Sequence, residues 1–177
     1  RKNLDRGKIV GAFALGSGKL YDFIRENPGV SLLRGHYVND PKVIGQINDF
    51  VSINTGLTID LCGQVCSESI GSLHYSGSGG QVDTAVGAAH SLRGKNIIAL
   101  PSVKHTKNGT VSSINAQLPL GSVVTLSRND VDYIVTEYGV ARMKGRSVKE
   151  RTEQMIRIAH PDVRDELRRY ALEQSYI

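Results

Sequence analysis

Lys8-Ile9-Val10-Gly11-Ala12-Phe13-Ala14-Leu15, closed by Gly16, is a short and nearly continuous apolar run. Apolar side chains fall on both parities, so a strand built from it presents hydrophobic groups to both faces, the signature of a parallel sheet covered on either side. Ser17 follows as a candidate N-cap, and Leu20, Phe23 and Ile24 share one face of the helix that begins there. Asn27-Pro28-Gly29 ends that helix, and Val30 to Leu33 supplies the next strand. Strand, helix and strand in this order predict a parallel α/β arrangement.

The same alternation continues. Asp40-Pro41 is an N-cap followed by proline at the first helical position, which predicts a short helix through Ile47. Phe50 to Leu61 is rich in β-branched and apolar residues with Gly56 in its middle, as in a strand pair or a bulged strand. Val82, Val86 and Ala89 then repeat at helical spacing, and Asp83 lies in the first turn, where its charge suits the helix dipole. Asn96 to Leu100 is a further strand, Pro101 to Thr110 a polar loop, and Val111 to Leu120 an extended stretch. Val123 to Leu126 and Tyr133 to Thr136 read as two more strands. Ser147 and Glu150 form a capping box for a helix through Ile158, and His160-Pro161-Asp162 starts another that ends near Glu173. The expectation is one α/β domain over residues 1–177 with an open, mostly parallel sheet flanked by helices.

Composition narrows the function classes. With 177 residues, 40% hydrophobic and 22% charged, the chain suits a single soluble domain, and no apolar run reaches the roughly 18 residues of a membrane span. We expect a cytoplasmic protein with no membrane partner. The net charge of +5 invites an anionic ligand. Nucleic acid is not that ligand on this reading, because the basic stretch from Arg142 to Arg169 is interleaved with Glu150, Glu153, Asp162, Asp165 and Glu166. Cys62 and Cys66 are the only cysteines and are expected as small buried side chains on a strand. A zinc site on them with His74 or His90 would lack a second closely spaced ligand pair, so no metal is expected.

The densest irregularity is Tyr75-Ser76-Gly77-Ser78-Gly79-Gly80-Gln81-Val82-Asp83, which places three glycines and two serines in five positions before a helix. Glycine loses the most conformational entropy on folding, so such a cluster implies positive φ or close approach of another group. It is not a P-loop, which ends in Gly-Lys-Ser/Thr. It is not a dinucleotide fingerprint either, because the third required glycine would fall at Val82. Successive unhindered N–H groups ahead of a helix form a concavity suited to an anion or an oxyanion, while a plain turn would explain the glycines equally well. Lys104 and Lys107 could hold a phosphate and could equally be solvated surface groups. His105 has no spaced partner to orient it as a base. Glu68, Asp83, Asp130, Asp132 and Glu137 are carboxylates that caps, turns and ion pairs can explain.

Several motifs stand in order along the chain. They include Arg6-Gly7-Lys8-Ile9-Val10, Tyr37-Val38-Asn39-Asp40-Pro41, Val51-Ser52-Ile53-Asn54 and Asp60-Leu61-Cys62-Gly63-Gln64-Val65. Ser76-Gly77-Ser78-Gly79-Gly80-Gln81-Val82-Asp83, Ile98-Ala99-Leu100-Pro101-Ser102, Ser127 to Gly139 and Ile158-Ala159-His160-Pro161-Asp162 follow. Together they span nearly the whole chain, which closely resembles the C-terminal domain of the acetyl-CoA hydrolase/transferase family, of the 4-hydroxybutyrate and butyrate:acetate CoA-transferase type. The resemblance implies a fold of the NagB/RpiA/CoA-transferase kind, coenzyme A as a substrate, and a glutamate nucleophile that carries CoA as a glutamyl thioester. That glutamate belongs to a His-Ser/Thr-Glu-Met stretch upstream of the segment matching Arg6 to Lys8, and no such stretch is present. The chain is therefore expected to be a fragment without its own catalytic residue.

By the same resemblance, Gly77, Gly79 and Gly80 border the thioester and offer N–H groups to its oxyanion, and Asn54 with Tyr75 or Ser76 lines the CoA channel. The family pattern places one CoA-contacting lysine after Pro101-Ser102. This sequence is longer there by two residues, so Lys104 and Lys107 both compete for the match. Lys107 is preferred because Asn108-Gly109-Thr110-Val111-Ser112 follows it. The implied partners are an acyl-CoA, a short-chain carboxylate and the protein's own N-terminal domain, with a homo-oligomer expected for the full-length enzyme. An acetyl-CoA hydrolase and a non-catalytic phospholigand-binding domain are the alternatives.

Overall fold

The computed structural model describes residues 2–107 and 109–177. In chain order the elements are β1 (Ile9–Gly11), α1 (Gly18–Ile24), β2 (Val30–Leu32), α2 (Gly35–Val38), α3 (Pro41–Gly45), β3 (Val51–Thr55) and β4 (Thr58–Asp60). There follow β5 (Val65–Cys66), β6 (Ser69–Ile70), β7 (Leu73–His74), α4 (Gln81–His90), β8 (Lys95–Ala99), β9 (Val103–Thr106), β10 (Gly109–Ser112) and β11 (Ile114–Asn115). The last elements are β12 (Tyr133–Thr136), β13 (Gly139–Arg142), α5 (Val148–Ile158) and α6 (Pro161–Glu173).

The largest sheet has the order β13-β12-β8-β3. Its three strands β12, β8 and β3 run parallel, and β13 returns antiparallel on β12. This is the mixed α/β architecture with a mostly parallel sheet that the alternation predicts. Helix α4 crosses from the β3 side to β8. Its buried positions are Gln81, Ala85, Gly87 and Ala88, whereas Ala89 faces solvent. The valine spacing locates the helix, Val82 packs against the core, and small residues allow α4 to lie close to α3. A Cβ on Gly87 would stand 2.5 Å from Ile44.

The core gathers Ile98 and Ile134 from the sheet, Leu126, Val131 and Met143 from its connections, and Met155 and Ile158 from α5, all fully buried. Ile59, Val65 and Ile114 extend it into a second sheet of order β11-β4-β5. Ser147 accepts from the Glu150 N–H while the Glu150 carboxylate takes the Ser147 N–H at 2.8 Å, so the capping box forms as expected. Asp40 caps α3 through Lys42 N at 2.8 Å, and this helix ends at Gly45, two residues before the expected Ile47.

Other expectations are corrected. The Phe50 to Leu61 stretch is two strands, and they belong to different sheets. Pro101 to Thr110 contains β9 and the start of β10, which pair as a hairpin with Gly109 at φ +114°, since Val103, Thr106, Thr110 and Val111 are β-formers on either side of a turn. Asn108, which helped to distinguish Lys107 from Lys104 by pattern, lies outside the described residues. Val123 to Leu126 is not a strand. Its backbone makes one bridge between Val65 and Leu126, Val123 N donates to Ser69 Oγ, and Thr125 Oγ1 accepts from Ser67 N. Cys66 is buried on β5, but Cys62 sits half-buried in the turn before it. Among the described residues no helix is long and apolar enough to cross a membrane, and no group of three or more His, Cys, Asp or Glu could hold a metal ion.

The largest correction concerns the opening run. Among the described residues β1 pairs only with β2, in a separate two-stranded parallel sheet. Ile9 is 59% exposed, Phe13 79% and Leu15 83%, and α1 has no buried residue. The strand is there; the cover its composition calls for is not supplied by these residues.

Candidate active site

Parallel register brings the C-terminal ends of β3, β8 and β12 side by side, with Thr55 opposite Ala99 and Ala99 opposite Val135. In open parallel sheets this edge is where ligands bind, because the following loops diverge there and helix N-termini point toward the gap. The glycine cluster reaches this edge. Gln81, the first residue of α4, donates from Nε2 to the Thr55 carbonyl at 3.0 Å, which ties the start of α4 to the end of β3. At the other end of the loop, the Glu68 carbonyl accepts from Tyr75 N at 2.7 Å and Ser76 N at 3.2 Å.

The three glycines differ in what requires them. Gly79 adopts φ +57°, a conformation costly for a residue with a side chain. Gly80 is the N-cap of α4, and a Cβ there would stand 2.7 Å from Asn39 Nδ2. Gly77 does not have positive φ, and among the described residues nothing stands within 4 Å of the position a Cβ would take. Tyr75 is 71% exposed beside it, and Ser76 Oγ bonds the Gly77 carbonyl at 3.0 Å. The loop is an open, solvent-facing shelf.

Asn54 stands at the end of β3, next to α4. Its side-chain NH2 donates to Ser52 Oγ at 2.9 Å and Thr84 Oγ1 at 3.0 Å, a network completed by Ser52 Oγ to Thr84 Oγ1 at 2.9 Å. The amide is thus held in one orientation. Thr84 has no distinguishing spacing in the sequence, and its part in this network is legible only in the structure.

The two lysines part company. Lys104 is half-buried, and its ammonium donates to the Leu57 carbonyl. It lines a cavity of about 240 Å³ with Leu57, Ile70, Val111 and Pro119. Burial pushes its pKa below the usual lysine value, partly offset by nearby Cys66. Lys107 is exposed in the turn between β9 and β10. His105 Nδ1 lies 3.1 Å from Thr110 Oγ1 across the same hairpin.

A contact the sequence does not single out fixes the base of this hairpin. Glu137, just after β12, accepts from the N–H of buried Ser102 at 2.9 Å and from its Oγ–H at 2.5 Å. These bonds, chiefly the one from the hydroxyl, hold the Glu137 carboxyl below the usual glutamate range. The loop after β8 is thereby clamped to the end of β12. Gly77, Gly79, Gly80, Asn54, Tyr75 and Ser76 consequently occupy one edge of the sheet, with the lysine hairpin leaving from the same edge.

The chain is similar to proteins of known name. Residues 16–171 match the family described as acetyl-CoA hydrolase/transferase C-terminal domain. The chain is 51% identical over 167 residues to the 4-hydroxybutyrate coenzyme A transferase of Clostridium kluyveri, covering 94% of this chain and 38% of that protein. It is 48% identical over 167 residues to a probable butyrate:acetyl-CoA coenzyme A-transferase of Syntrophomonas wolfei, covering 94% of this chain and 37% of the relative. The crystal structure of RipA from Yersinia pestis superposes with a TM-score of 0.91 at 44% identity, covering all of this chain and 39% of RipA. The chain thus spans less than two-fifths of the length of these relatives. It belongs to the acetyl-CoA hydrolase/transferase family, as the C-terminal domain.

Proposed function

We propose that these 177 residues form one domain, the CoA-holding C-terminal part of a CoA-transferase whose catalytic glutamate lies in the remainder of the protein. The single observation that carries this reading is Gly77. The glycine there is demanded by neither backbone conformation nor packing, and the space above it is open, on the strand edge where ligands bind. A ligand approaching the backbone closely would account for it.

In the proposed reaction the glutamate carboxylate attacks the thioester carbonyl of an acyl-CoA, and CoA leaves as the thiolate to give an acyl-glutamyl anhydride. The thiolate then attacks the glutamyl carbonyl, releasing the first carboxylate and leaving CoA as a glutamyl thioester. A second, short-chain carboxylate reverses these steps and departs as its own acyl-CoA. Each addition puts negative charge on a carbonyl oxygen, and N–H groups of the Gly77–Gly80 shelf would receive it. Asn54, Tyr75 and Ser76 would line the pantetheine arm. Lys107, exposed on the hairpin, would meet the CoA phosphates, while Lys104 is already engaged with Leu57. The full-length enzyme would act as a homo-oligomer in the cytoplasm.

The test is acceptor dependence. Full-length enzyme given butyryl-CoA and acetate should form acetyl-CoA only when acetate is present, and borohydride should inactivate it by reducing the glutamyl thioester. Release of free CoA without an acceptor would identify a hydrolase. CoA binding without either reaction would identify a binding domain.

A further inference from the structure

β3 lies at one edge of the main sheet, and among the described residues its only strand partner is β8. Lys95 N donates to the Phe50 carbonyl at 2.9 Å, which fixes the alternation of the parallel ladder. Ser52 and Asn54 therefore direct N–H and C=O toward β8, and Val51 and Ile53 direct theirs toward the open edge, as does Thr55, whose carbonyl there accepts from Gln81 Nε2 and Ser67 Oγ. The side chains on the sheet face of Val51 and Ile53 are also uncovered, at 46% and 68% exposure. β1 has the complementary condition. Ile9 N bonds the Gly29 carbonyl and Leu33 N the Gly11 carbonyl, so Val10 turns its backbone groups away from β2. A cavity of about 550 Å³ touches both strands' surroundings, lined by Val10 of β1, by Phe50 just before β3, and by Ile47 and Thr84 among others.

A two-stranded parallel sheet is poorly supported by itself, because parallel sheets are found with both faces covered, and an open edge presents unpaired N–H and C=O groups that template a further strand. From the paired open edges, the apolar face beside them and the cavity that Val10 and Phe50 line, we infer a docking surface for a strand-and-helix unit. The strand adds to the free edge of β3, and the helix that a parallel connection requires covers Val51 and Ile53. The occupant is part of the roughly three-fifths of the relatives' length that this chain does not match, and this rests on the proposal that the chain is one portion of a longer enzyme. The apolar side of the cavity, formed by Val10, Ile47 and Phe50, suits a β-branched, apolar segment.

Amide hydrogen exchange separates the possibilities without using activity. The 177-residue chain would be compared with the same chain fused behind the N-terminal portion of the Clostridium kluyveri relative. In the free chain, the amides of Val51, Ile53 and Thr55 and of Val10 should exchange rapidly, while those of Ser52 and Asn54 are protected. In the fusion, the first set should slow by at least about 100-fold. Ile53→Lys should leave the melting temperature of the free chain unchanged and abolish that slowing in the fusion. Open-edge amides that stay fast in the fusion would overturn the inference, whether or not the fusion transfers CoA. Protection in the free chain that rises with protein concentration would assign the edge to a second copy and overturn it as well. A fusion that protects these amides without transferring CoA would uphold the docking surface and count against the catalytic proposal alone.

Discussion

Gly77→Ala adds one methyl group where φ is not positive and where none of the described residues stands within 4 Å of the new carbon. In the protein alone, the substitution removes conformational freedom from the unfolded chain and should stabilise the fold by about 0.4–1 kcal/mol. For a chain of this size that raises the melting temperature by at most about 4 °C. Its neighbours behave differently. Gly79→Ala must hold a side chain at φ +57°, which costs about 1–2 kcal/mol, and Gly80→Ala must push Asn39 aside. If a CoA thioester packs against the shelf, the Gly77 methyl displaces the reacting carbonyl by about 1 Å, and a misplacement of that size costs roughly 100-fold in rate. The measurement is kcat/KM of the full-length enzyme for acyl-CoA with acetate, with the calorimetric midpoint of the same preparation. A variant that is as stable as wild type or more so, and that keeps kcat/KM within about twofold, would show the shelf to be a turn and nothing else.

Ile134 is fully buried in the central strand β12, so Ile134→Ala should lower the unfolding free energy in urea by about 2–5 kcal/mol. Ser147→Ala removes one half of the capping box of α5 and should cost about 1 kcal/mol in the same experiment, with Glu150 left to interact with Arg146. Glu137 has a pKa below the usual 4.5 in the folded protein because Ser102 donates to its ionised form. Its contribution is therefore complete above about pH 4.5 and is lost as pH falls through the lowered value, so Glu137→Gln should flatten that part of the acid unfolding profile. An unchanged profile would mean that the Ser102 bonds do not discriminate between the protonation states.

What the sequence makes legible follows from how local each signal is. The α5 capping box and the Asp40-Pro41 start of α3 depend on contacts within four residues, and both form where expected. The hairpin of β9 and β10 is hidden because Lys104, His105, Lys107 and Asn108 read as a polar loop. The β-branched residues carry the strands, and an exposed hairpin buries too little to show apolar alternation. The Glu137 to Ser102 clamp spans 35 positions and unites two strand ends, which no spacing rule anticipates. The glycine shelf is visible as a cluster, but only the folded backbone separates Gly79, required by φ, and Gly80, required by Asn39, from Gly77, required by neither.

The apolar run at Ile9 to Leu15 is the clearest strand in the sequence and the poorest guide to burial. The same disagreement occurs at Ile53, whose β-branched side chain is 68% exposed while Ser52 beside it is buried at 3%. Neither is a fault of local propensity, since both segments contain strands with regular parallel registers. Hydrophobic patterning records every surface that a segment covers in its complete fold, whereas burial records only the neighbours supplied by the residues at hand. Where the two disagree at one isolated position, an exposed leucine needs no explanation. Here they disagree at two strands, one of which contributes Val10 and the other the preceding Phe50 to one cavity, and a shared missing neighbour explains both with a single cause.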